Sequence, residues 1–131
     1  MTRTAVWMII VVCAAVLSVG CGEECMLDQM KSMVPVFEGG TVLESYSPTE
    51  EMNVIKFEVD VSSSSQQDIL DYYRETMTGK GWELVDTKDY GKNGSIMEFT
   101  NAEFGTLSVQ TITKKTEKTG KIPVVLSLSK N

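Results

Sequence analysis

The sequence predicts an α+β protein. Its expected form is a two-layer sandwich, with a mainly antiparallel sheet of about five to six strands against one main helix. The expected order is ββαββββ, behind an N-terminal signal or anchor helix. Three observations carry this reading. From Met52 to Val61 apolar and polar residues alternate, with Ile55, Phe57, Val59 and Val61 on one side and Lys56, Glu58 and Asp60 on the other. Period two with one polar face describes a strand packed on one side. After Ser65 the period changes, and Ile69, Tyr72, Tyr73, Thr76 and Met77 form a helical stripe. Beyond Trp82, short alternating runs separated by turn residues read as a meander.

Each element follows in order. Glu23 to Ser32 suits a short helix, because Met26, Met30 and Met33 recur at helical spacing and Pro35 disfavours helix at Val34. Val34 to Gly40 is an extended lead-in ending in a glycine turn, and Thr41 to Tyr46 suits a strand. Ser47 to Glu51 turns the chain into the alternating run. Ser65 and Asp68 form a capping-box-like helix start, and Gly79 or Gly81 supplies its end. Trp82 should fold back on the helix or sheet. The next strand runs to Tyr90, where Asn93-Gly94 marks a hairpin answered by Ser95 to Thr100. Thr106 to Lys114 is a further strand, with Leu107, Val109 and Thr111 inward. Lys115 to Lys121 is a polar loop, and Ile122 to Ser129 the last strand, with Val124, Leu126 and Leu128 on one face. Pro123 belongs at a strand start or an edge, since it lacks an N–H.

Length and charge narrow the function. A chain of 131 residues holds one ordinary domain. It carries 18 acidic and 12 basic side chains, a net charge of −6. A phosphate-gripping nucleic-acid binder needs a basic face, so no nucleic-acid partner is expected. Histidine is absent. That removes the commonest general base and zinc ligand, and with them any Ser-His-Asp or Cys-His arrangement.

The N-terminus reads as an address. Arg3 is the only charge before Glu23, and an apolar run from Ala5 to Leu17 is followed by Ser18-Val19-Gly20. A cationic start, an apolar stretch and a small-residue end are the three parts of an export signal. Its apolar part falls short of the ~20 residues that a spanning helix needs. The segment Leu17-Ser18-Val19-Gly20-Cys21-Gly22 resembles the lipobox of bacterial lipoproteins. Ser18 stands where leucine is usual, and Val19 where a smaller residue is. The resemblance implies that the Cys21 thiol receives a diacylglycerol, that the bond before it is cut, and that the new N-terminus is acylated, palmitate being the usual chain. It divides the chain into a signal peptide (1–20), a lipidated tether (21–33) and a globular domain (34–131). It implies a membrane partner through lipid on Cys21 and a place in the cell envelope. With no Asp after Cys21, that place resembles the outer membrane facing the periplasm in a Gram-negative host. Cys13 leaves with the signal, so Cys25 is a lone mature thiol and forms no intramolecular disulfide.

A second resemblance covers most of the head. Gly39-Gly40-Thr41-Val42-Leu43, Asp71-Tyr72-Tyr73 and Lys80-Gly81-Trp82 are similar to a pattern in small exported bacterial domains that carry an aromatic pair in one helix and Gly-Trp at its exit. The resemblance implies fold and location and supplies no catalytic residue.

The search for chemistry turns up little. Glu50 with Glu51, and Asp68 with Asp71, are the closest carboxylate groupings, and they read as turn and helix-cap residues rather than a facing hydrolytic pair. The methionine stripe reads as packing rather than a copper site. Asp86 to Gly91 fails as a calcium loop, because Lys88 occupies a ligand position. No cofactor, metal site or catalytic residue is expected. Tyr72, Tyr73, Trp82 and Tyr90 are the candidate ligand or partner surface. The expected function is a non-catalytic envelope lipoprotein whose head binds a protein or cell-wall partner. The alternatives are an enzyme built on carboxylates or Cys25, and a small-ligand domain using Tyr72, Tyr73 and Trp82.

Overall fold

The computed structural model describes residues 23–130, with side chains from Asp28 onward. The signal segment, the expected anchor helix and Cys21 lie outside the described residues. The chain is mixed α+β and mostly sheet. Six strands form one antiparallel sheet: β1 (Thr41–Thr49), β2 (Met52–Asp60), β3 (Glu83–Asp89), β4 (Gly94–Asn101), β5 (Gly105–Ile112) and β6 (Lys121–Ser129). The described helices are α1 (Glu23–Met33), α2 (Gln66–Gly79) and the single turn α3 (Thr116–Thr119), with a 3-10 turn at Gly91–Asn93.

The spatial order of the sheet is β1-β2-β6-β5-β4-β3. A hairpin (β1, β2) and a three-stranded meander (β3, β4, β5) are therefore joined by β6, which pairs with both β2 and β5. In-register partners place the apolar rows together. Ile55 pairs with Leu126, Leu126 with Val109, and Val109 with Met97. These residues, with Phe57, Val59, Phe99, Leu107 and Val124, are fully buried. α1 and α2 supply the second layer through Met30, Ile69, Leu70, Tyr73 and Met77, with Val34 just past the end of α1. On the other face, Lys56, Glu58, Gln110 and Val125 are half-buried.

Local chemistry explains the connections. The α2 capping box is complete: the Asp68 N–H donates to Ser65 Oγ at 3.2 Å, and the Ser65 N–H donates to Asp68 Oδ2 at 2.9 Å. At the other end Gly81 takes φ +93°, which lets the Trp82 N–H reach the Met77 carbonyl at 3.0 Å. This turn buries the Trp82 ring. A Cβ on Gly40 would stand 2.6 Å from the Phe57 ring, so a glycine permits the lead-in to cross the sheet there.

Several boundaries differ from expectation. β1 runs on to Thr49, and only Glu50 and Glu51 form the turn; an edge strand has room for Pro48 because its outer N–H groups need no partner. Val61 falls beyond the end of β2 and is exposed, while Leu70 joins the buried stripe of α2 and Thr76 does not. The polar loop after β5 winds into α3 and closes on Gly120 in the left-handed conformation. Pro123 is in an interior strand, near its start, one residue beyond the last pair with β5. Met30 on α1, within the segment read as a tether, is fully buried in the core cluster.

Candidate functional site

The four aromatic residues singled out in the sequence do not share a surface. Tyr73 is buried, and its hydroxyl is fully used: it donates to the Pro35 carbonyl at 2.8 Å and accepts from the Phe37 N–H at 3.0 Å. Burial pushes its hydroxyl well above the ordinary tyrosine range. Tyr72 is half-buried in edge-to-face contact with Phe37 and Tyr73, at centroid distances of 5.2 and 5.0 Å. Trp82 is buried and stacks on Phe104 at 6.3 Å. Tyr90 is exposed at the far end of β3, roughly 25 Å along the strand from Trp82 at about 3.3 Å per residue. Three of the four therefore work as packing.

The carboxylates are equally separate. Asp68 caps α2, and Asp71 pairs with Arg74 at 3.3 Å on the exposed side of the helix. Asp60 accepts from the Ser62 N–H at 3.0 Å and from Ser62 Oγ at 2.9 Å, and these bonds hold its carboxyl below the ordinary value. Among the described residues no three His, Cys, Asp or Glu side chains gather in a metal-holding group. None of the described helices is long and apolar enough to cross a membrane.

Two buried polar sites stand on the sheet face beneath the helices, and they differ. At the α2 N-terminus Ser95 and Thr111 share a hydrogen bond of 2.8 Å, and Gln66 Nε2 donates to Thr111 Oγ1 at 2.9 Å. That cluster is self-satisfied and fastens the helix to β4 and β5. At the opposite end of the sheet stands Asn53, 2% exposed, in the inward row that continues through Ile55 and Phe57. Ser47 Oγ donates to its Oδ1 at 2.6 Å. Asn53 also lines a cleft of about 390 Å³.

That cleft lies between α1, the sheet and the β4–β5 turn. Met33, Phe104 and Leu128 are its apolar walls, and Gln29, Glu103 and Lys130 its polar rim. The turn is built to hold Phe104 there. Asn101 Oδ1 accepts from the N–H groups of Glu103 and Phe104 at 2.9 and 3.2 Å. Gly105 follows at φ +111°, where a side chain would collide with the Ser129 carbonyl. Sequence reading missed this site. Its signal was a single asparagine in an apolar row, and the depth of the row became visible only through the pairing of Asn53 with Leu128.

Comparison of the chain with known protein families, curated proteins and solved structures finds no match.

Proposed function

We propose that this chain is an exported bacterial lipoprotein, anchored through lipid on Cys21, whose α+β head binds a protein or cell-wall partner and is non-catalytic. The observation that carries the reading is the apolar run ending in Gly20-Cys21. The head suits such a role in two ways. Asp68 caps a helix, Asp71 pairs with Arg74 at the surface, and Tyr73 and Trp82 are committed to the core. The ββαββββ order read from the sequence belongs to the same proposal, as one head domain behind a removable signal.

Lipid supplies location. Burial is worth about 0.8 kcal/mol per CH₂, so two or three long acyl chains hold a protein firmly at a membrane. The intact mass of membrane-extracted protein tests the reading. The expected mass is that of a chain starting at Cys21 plus acyl groups. A chain that retains Met1, or an unmodified cut at another residue, overturns it. In the same experiment Cys21→Ala should leave the signal uncleaved at this position.

A further inference from the structure

We infer that the hollow between the β5–β6 connection and the open face of the sheet binds a small organic anion, with an apolar body and a carboxylate or phosphate head, through Lys114 and Lys115. The inference is independent of lipid anchoring, because every residue in it belongs to the folded head.

The argument starts from where charge gathers. The chain as a whole is acidic, yet four of its 12 basic side chains fall between Lys114 and Lys121, with Glu117 the one acidic residue among them. Like charges crowded on a short loop repel one another, and an anion set between them relieves that repulsion. Lys121 is already balanced: its Nζ lies 3.3 Å from Glu58 Oε1, and Asp60 is its partner in register. Lys114 and Lys115 form no ion pair with any described residue. Glu117 lines the neighbouring hollow, together with Lys92. Two ammonium groups are thus left for an anion from outside.

The backbone builds a frame for them. Pairing of β5 with β6 stops at Thr111 and Val124, and the chain then leaves the sheet and returns through α3. The connection is fastened at its base. Thr116 Oγ1 donates to the Lys121 carbonyl at 3.0 Å, and the Lys121 N–H donates to Thr119 Oγ1 at 3.2 Å. The Thr119 N–H donates to the Lys115 carbonyl at 3.0 Å. A frame fixed before the ligand arrives lowers the ordering cost of binding. Beside it is a hollow of about 320 Å³, within the usual range for small-molecule sites. Its floor is Ile112 and Pro123, half-buried on the sheet face away from α1 and α2. A bare inorganic anion would use the lysines and leave this floor wet. An apolar body covers the floor and the lysine stems as well, so the hollow selects an organic anion.

Titration of the ¹⁵N-labelled full chain with octanoate and, separately, with octyl phosphate tests the site, with octanamide as the uncharged control. The expected result is a saturable shift of the Lys114, Lys115 and Lys121 backbone amides with at least one anion, and the responding probe names the head group. Octanamide should bind about tenfold more weakly or worse, and added salt should weaken the anion. Lys114→Gln combined with Lys115→Gln should weaken binding about tenfold or more. Lys88→Gln, the same charge change on β3, should leave it unchanged. If the double variant does not fold, the two single variants carry the test, each expected to lose several-fold. Absence of saturation with both anions overturns the inference. So does equal affinity for octanamide, or binding that survives the lysine substitutions. Binding to phosphatidylglycerol vesicles alone overturns it too, in favour of a membrane-facing patch.

Discussion

At the residue scale, Tyr73 shows how a functional-looking aromatic becomes a structural one. Its ring lies in the core, while its hydroxyl bridges the Pro35 carbonyl and the Phe37 N–H, pinning the lead-in to α2. Tyr73→Phe keeps the ring and strands both backbone groups, so it should cost about 1–3 kcal/mol in a denaturant melt. It should also change the alkaline limb. In the unfolded chain tyrosine ionises near pH 10, and in the fold its value is raised. The folded state therefore holds this proton more tightly. The associated stability is present below about pH 10 and is lost as pH rises towards the folded value, by at most about 1.4 kcal/mol per pH unit. Melts of Tyr73→Phe between pH 9 and 11 should fall less steeply than those of the parent. Trp82→Ala removes a buried ring and should cost about 3–5 kcal/mol. A melting temperature equal to the parent's would place that ring at the surface.

Residue roles were the least legible part of the sequence, for a physical reason. The large aromatics stand out in any reading, yet a small domain uses large rings first to fill its core. Asn53 is inconspicuous, because a lone asparagine near a strand start looks like turn chemistry. Its pairing with Leu128 on β6 shows how deeply this start of the strand is buried.

Elements were far more legible. The run from Met52 and the stripe after Ser65 declare their periods locally, and each is confirmed in β2 and α2. The Ser65–Asp68 capping box and the glycine exit at Gly81 depend on residues a few positions apart, and both form. Less was visible where the decision is tertiary. The lead-in hides how far the core reaches back, since a short methionine stripe reads the same on a tether and on a packed helix. α1 answers this with Met30 fully buried and the Met33 carbonyl accepting from Lys80 Nζ at 3.4 Å. Met30→Ala should therefore cost about 2–5 kcal/mol, measured by chemical denaturation of the full chain. A change below about 0.5 kcal/mol, as for an exposed side chain, would return α1 to the tether.

At the scale of the whole molecule, the class and the single-sheet arrangement follow from composition and period, but the strand order does not. Alternation assigns each strand a buried face without naming its neighbour. The meander was readable because β3, β4 and β5 are joined by short turns. The partnership of β6 with β2 spans more than sixty residues of chain and rests on matched apolar rows rather than on any local signal.

The central place of β6 has a consequence in time. A chain emerging from a ribosome presents the hairpin first, then α2, then the meander, as separate pieces. Their shared edge stays open until Lys121 to Ser129 arrives. Until then no piece has a continuous sheet against which α1 and α2 can close. Closure should then come late and all at once. Nascent chains arrested before Lys121 should be digested rapidly by added protease, whereas chains extended to carry Ser129 clear of the tunnel should become resistant in one step. Gradual protection, growing strand by strand, would show that the meander or the hairpin folds without its keystone.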